Sequence, residues 1–132
     1  MITVNIQAKI EDSVLEDIFV TALEGGSNYW YFITDREIDK IRKAVPKEEC
    51  EPLSTAIFKA VMKHDVEVYI QDIESRAVLG SISKRDLPYR LERLARDADY
   101  SWALWQEIKE NGDAESSDIV FQYLVMNKAI FG

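Results

Sequence analysis

Ile2, Val4, Ile6, Ala8 and Ile10 alternate with Thr3, Asn5, Gln7 and Lys9, and this period of two predicts a half-buried β-strand over residues 2–10. The period then changes. Val14, Leu15, Ile18, Phe19 and Ala22 recur at helical spacing, with Ser13 and Glu16 placed as a capping box and Gly25-Gly26 as the stop. Residues 27–33 combine the aromatic density of a strand with a serine suited to capping a helix. A short helix packed on the first is the preferred reading there. Over residues 35–45 the charges are mixed and only Ile38, Ile41 and Val45 offer an apolar side, which describes an exposed helix or a mobile loop. After a charged linker over residues 46–51, Pro52 suits the first position of a helix carrying Leu53, Ile57, Val61 and Met62.

Val66, Val68 and Ile70 alternate with Glu67 and Tyr69, a second strand. Residues 72–76 are turn-like, and residues 77–82 return as the hairpin partner. Ser83 and Asp86 repeat the capping pattern ahead of a helix with Leu87, Leu91, Leu94 and Ala95 inward; Pro88 is tolerated in its first turn. Trp102, Trp105 and Ile108 continue a helical stripe to the stop at Asn111-Gly112. Ser116 or Ser117 then opens a last helix, with Asp118 in its first turn, where the macrodipole favours an acid. The result is an α+β chain: a small antiparallel sheet of about three strands with four or five packed helices, in one domain over residues 1–132.

Charge changes the picture from architecture to surface. The net charge of −8 argues against duplex nucleic-acid binding, which needs a basic face to neutralise phosphates. The excess is also unevenly placed. Residues 1–30 hold five acids and Lys9; residues 97–132 hold seven acids with Lys109 and Lys128; residues 31–96 are close to neutral. If the two ends meet in the fold, one face is strongly anionic. No apolar run is long enough to span a membrane, and the alternating N-terminus does not read as a signal peptide. A single cysteine, Cys50, excludes an internal disulfide and fits a reducing cytosol.

Candidate chemistry is sparse. His64 stands alone at a helix end, where interaction with the dipole accounts for it, and no nucleophile motif accompanies it. Cys50 lies among acids, the opposite of the electropositive setting that activates a thiol. The pairs Asp97/Asp99 and Asp113/Glu115/Asp118 lack the spacing of a calcium loop, so no metal and no cofactor is expected. Gly25-Gly26 lacks the spacing of a dinucleotide loop. It reads as a helix stop, or as a backbone that lets a partner approach beside Asn28, Tyr29 and Trp30. Trp30, Trp102 and Trp105 are expected in the core in preference to an interface. Arg85, Arg90, Arg93 and Arg96 read as a solvated helix face; the alternatives are pairing with the acidic ends or binding an anionic ligand such as a nucleotide.

Three stretches carry a resemblance: EDIFVTALEGGSNYW over residues 16–30, with its EGGSNYW signature; the strand and capped helix over residues 66–94; and DAESSDIVFQYLVMNKAIFG over residues 113–132. Together they resemble a family of small acidic proteins of bacteriophages and prophages whose function is not settled. The resemblance implies a phage-linked origin and a role in the cytoplasm of a bacterial host. It brings no catalytic residues. The expectation is therefore a non-enzymatic protein that binds a host or phage protein, for instance as an acidic inhibitor of a nucleic-acid-handling defence system. Asn28, Tyr29, Trp30, Tyr31, Asp113, Glu115 and Asp118 are its candidate binding residues. A small-ligand or nucleotide binder is the alternative, and a homodimer is left open.

Overall fold

Helical periodicity from Val14 onward buries Val14, Leu15, Ile18 and Phe19 on one side of α1 (Asp12–Thr21). The helix begins one residue before the expected cap: Glu11 precedes it, and no side chain caps it. The helix then widens into a π-turn over Ala22–Gly26, which takes in Gly25-Gly26. In this computed structural model, which describes all of residues 1–132, the next segment is not the expected short helix. Residues 27–30 make a hydrogen-bonded turn, and Tyr31–Phe32 form β1, the first strand of the sheet. The Trp30 carbonyl accepts from the Ile73 amide at 2.8 Å, so sheet pairing overrides local helix propensity here.

The mixed-charge stretch resolves as the helix α2 (Asp35–Ala44). Thr34 accepts from the Glu37 amide as its N-cap, acids fill the first turn, and Arg42 and Lys43 the last. Pro52 precedes α3 (Leu53–Lys63) directly. The hairpin follows as expected, β2 (Val68–Asp72) against β3 (Val78–Ile82). The sheet order is β1-β2-β3, antiparallel throughout, with Phe32 opposite Gln71 and Ile70 opposite Gly80. Ser83 Oγ donates to Asp86 at 2.8 Å across a 3₁₀ turn that leads into α4 (Leu87–Ala95). Two further helices close the chain, α5 (Ser101–Ile108) and α6 (Ala114–Met126). Six helices and three strands make an α+β fold.

α6 is the centre of the molecule. Every residue from Ser116 to Val125 is buried, so the helix has no solvent face, and α1, α4, α5 and β3 all pack on it. Its start differs from the expected serine cap: Asp113 accepts from the Ser116 amide at 2.8 Å and Ser116 Oγ accepts in return from the Asp113 amide. Phe121 lies against Phe19, Trp30 and Tyr31, which joins the first helix, the first strand and the last helix in one aromatic cluster.

Two further expectations fail. Residues 2–10 form no strand: Ile2, Val4 and Ile6 are 90%, 69% and 76% exposed, and no hydrogen bond inside the chain involves residues 1–10. The sheet gives this segment no place to pair, because β1 is two residues long and β3 lies against α6, with Gly80 pressed on the Val125 carbonyl. Trp102 and Trp105 are also not core residues, being 39% and 37% exposed. The inward face of the short α5 is taken by Ala103, Leu104 and Glu107, and the two indoles flank it.

Candidate functional site

The two ends that carry the resemblance meet at one carboxylate. Asp118 Oδ1 accepts from Ser27 Oγ at 2.7 Å and from Trp30 Nε1 at 2.7 Å; Oδ2 accepts from Tyr29 Oη at 2.6 Å and from Gln122 Nε2 at 3.2 Å. Gln122, one helical turn on, continues the network. Its Oε1 accepts from the amides of Ile130 and Phe131, and its Nε2 donates to the Phe131 carbonyl. The Phe131 ring then stacks on Trp30, centroids 5.3 Å apart and planes 8° from parallel. Ser27, Tyr29 and Trp30 are thus held by Asp118, Gln122 and Phe131, residues about ninety positions away.

Burial divides the candidates. Trp30 is 2% exposed, Asp118 is buried, and Tyr31 is half-buried with its hydroxyl donating to the Leu23 carbonyl. These build the fold. Asn28, Asp113 and Glu115 are exposed, and Tyr29 is 49% exposed with only its hydroxyl engaged. Burial, reinforced by the adjacent Asp118 carboxylate, pushes the Tyr29 phenol well above its ordinary range. Burial first, then the charge of Glu24, also raises Tyr31.

The glycine pair is asymmetric. A Cβ on Gly26 would stand 2.7 Å from the Ala114 carbonyl oxygen, whereas nothing lies within 4 Å of one on Gly25. The close approach read from the sequence is made by the chain's own α6. Gly26→Ala should therefore lower stability by about 2 kcal/mol, while Gly25→Ala stays within about 0.5 kcal/mol of wild type. Paired urea melts of the two variants check this; equal effects would contradict the packing.

A second acid of the C-terminal end is internal. Glu107 Oε1 accepts from Ser116 Oγ at 2.7 Å and Ser117 Oγ at 2.6 Å, so the serines of the tail are structural too. Asp97 accepts from the Tyr123 hydroxyl and from the Asp99 and Tyr100 amides. These donors, Tyr123 foremost, hold the Asp97 carboxyl below its usual range; burial and the facing carboxylate push Tyr123 up to about 12. A lowered acid stabilises above its unfolded pKa, about 4, and that stability is lost as pH falls. A raised phenol stabilises below about pH 10 and loses its contribution as pH rises toward its folded value. Tyr123→Phe should flatten the acid slope and reduce the alkaline one, read as urea midpoints across pH. An unchanged acid slope would rule out this pair as its source.

Arg85, Arg90, Arg93 and Arg96 do not form one face. Arg90 turns inward, donating to the carbonyls of Ser81, Leu124 and Val125 at 2.7, 2.6 and 3.0 Å. Arg85 lies 3.8 Å from Glu67 and Arg96 2.7 Å from Glu92. Arg93 and Arg96 border a shallow groove with Tyr89 and Glu92. His64 is the exposed C-cap of α3, and the Cys50 thiol faces backbone carbonyls of Val45 and Pro46. No three His, Cys, Asp or Glu side chains converge as a metal site requires. No helix is long and apolar enough to cross a membrane.

The acids that remain outside lie on neighbouring elements, because α1 packs on both α5 and α6. Glu11, Asp12, Glu16, Asp17 and Glu24 belong to the first end; Asp97, Asp99, Glu110, Asp113 and Glu115 to the second. All six ion pairs of the molecule fall between Glu37 and Arg96, and none of them uses an acid of either end. Set against family models, characterised proteins and solved structures, the chain finds no match. The resemblance to phage proteins thus stands on its three stretches of sequence alone.

Sequence reasoning missed Ser27, Glu107, Gln122 and Phe131. One signal was present: Asp118 and Gln122 are four apart, on one side of a helix, in a stretch otherwise apolar.

Proposed function

We propose that this chain is a non-enzymatic binding protein whose acidic surface occupies a basic site on a protein partner. The observation that carries this reading is the unneutralised charge of the two ends. Ten surface acids on adjoining elements, in ends that hold only three lysines, form no ion pair, while six of the twelve acids of the middle segment are paired. Such a surface repels itself and costs stability, so its presence calls for an external counter-charge. A channel that binds nucleic acid offers one, since a carboxylate array presents the sign of charge that channel is built to hold. Exposed Asn28 and half-exposed Tyr29 lie beside this surface, through the contact of Gly26 with the start of α6, and supply uncharged contact area.

The phage resemblance supports the direction of this reading: a partner inside a bacterial host cell, with inhibition of a nucleic-acid-handling defence protein as its consequence. The lack of a paired nucleophile and base supports the non-enzymatic part. The test uses tagged chain as bait in host lysate, beside a D12K/D17K/E115K variant. These three acids are exposed and unpaired, so the variant is expected to keep its fold by far-UV CD, with a small loss of stability from Asp12 and Glu115 in first helical turns. The expected result is a partner whose binding weakens at least about tenfold in the variant, falls steeply with salt, and competes with nucleic acid. Binding insensitive to both salt and charge reversal would overturn the proposal.

A further inference from the structure

The N-terminal segment has the pattern of a strand and no strand to pair with. Ile2, Val4 and Ile6 are exposed, alternate with Thr3, Asn5 and Gln7, and belong to a stretch with no internal hydrogen bond. A strand-patterned backbone in this state lacks its ladder. The same segment edges a groove of about 680 Å³, in which Ile6 and Ile10 face Leu91, Ala95, Leu104 and Trp105 of α4 and α5. The single segment leaves that groove open to solvent.

We infer that residues 2–10 of two copies of this chain pair as an antiparallel two-stranded ribbon centred on Ile6, which closes the groove of each copy. The segment is self-complementary in this register. Ile2 stands opposite Ile10, Val4 opposite Ala8 and Ile6 opposite Ile6, all on one face; Thr3 meets Lys9 and Asn5 meets Gln7 on the other. The alternatives are worse. Parallel in-register pairing sets Lys9 against Lys9, and a one-residue slip sets apolar side chains against polar ones. Centring on Ala8 brings Val4 opposite Asp12, and centring on Val4 shortens the ladder. Charge favours the same place, because residues 1–10 carry no acid in a chain of net charge −8. A second strand about 4.8 Å from the first doubles the width of the apolar cover over α4 and α5.

The test is sedimentation of the full chain with Ile6→Pro as comparison, together with single cysteines at positions 6 and 4 in a Cys50→Ser background. Ile6→Pro removes a ladder amide from a segment that makes no bond in the monomer, so its far-UV CD and melting should match those of monomeric wild type. The expected result is a wild-type dimer lost in Ile6→Pro, with Ile6→Cys oxidising to a covalent dimer and Val4→Cys doing so only when mixed with Ala8→Cys. A wild-type monomer at all concentrations overturns the inference, as does a dimer that survives Ile6→Pro. Equal self-crosslinking at positions 4 and 6 overturns the register.

Discussion

Replacing Asp118 by alanine should destabilise this protein by roughly 4 kcal/mol, a large fraction of the stability of an ordinary domain. The carboxylate accepts from four side chains; alanine takes this acceptor from Ser27, Tyr29 and Trp30 and leaves the Gln122 amide nitrogen only the Phe131 carbonyl. Tyr29 reaches water and Ser27 can rotate, but the Trp30 indole and the Gln122 amide are buried donors whose unmet bonds carry the cost. In a chain of 132 residues that corresponds to a fall in Tm on the order of 15 °C. Asp118→Asn separates acceptor geometry from charge. Its oxygen can still serve Trp30 and Ser27, while its amide nitrogen can donate to the Tyr29 hydroxyl but meets the Gln122 nitrogen donor to donor. About half the loss is expected. Ser27→Ala, removing one donor, should cost about 1 kcal/mol. Thermal melts followed by near-UV CD, which reads the packed indole, give the order; an alanine variant within about 2 °C of wild type would refute the network as the lock between the two ends.

This network also shows where the sequence is legible and where it is not. The period of two in Val66, Val68 and Ile70 led to β2, and its return over residues 77–82 led to β3, because a hairpin is closed by a local turn. The same period in residues 2–10 led to a strand that is absent, since alternation records which way side chains would point and says nothing about a partner. α6 was harder for a different reason. Ser116 or Ser117 is expected to open the helix and Asp118 to be a binding residue, yet both serines, Asp118 and Gln122 are buried, each satisfied by a group from another part of the chain or a later turn. Polar side chains look exposed in a sequence until their partners are known. The two motifs at the ends were visible; that one holds the other was not, because Ser27 and Asp118 are separated by 91 positions. The two acidic ends do come together, since α1 packs against α6, and two of their acids, Glu107 and Asp118, lie inside.

Arg90→Ala should cost about 3 kcal/mol, against about 0.5 kcal/mol or less for Arg93→Ala, three residues along the same helix. The last carbonyls of α6 have no partner within the helix, and Asn127 in the left-handed region (φ 62°) ends it at that point. Arg90 supplies the missing donors to Leu124 and Val125 and reaches Ser81 on β3, so one guanidinium ties α4, α6 and the sheet together. Its charge also lies at the negative end of the α6 dipole. Alanine leaves these carbonyls short of donors and removes that charge; lysine keeps the charge, but its single nitrogen cannot both meet the carbonyls held by Nη1 and face Asp86 as Nη2 does, and it should recover less than half the loss. Urea unfolding of the three variants decides between two roles for this arginine. An anion-binding arginine would leave stability nearly unchanged on removal and abolish any stabilisation by nucleotides in thermal-shift titrations. A structural one gives the large unfolding effect, with no nucleotide response to lose. The three carbonyls around Arg90 favour the second outcome, since they already occupy the positions a phosphate would need.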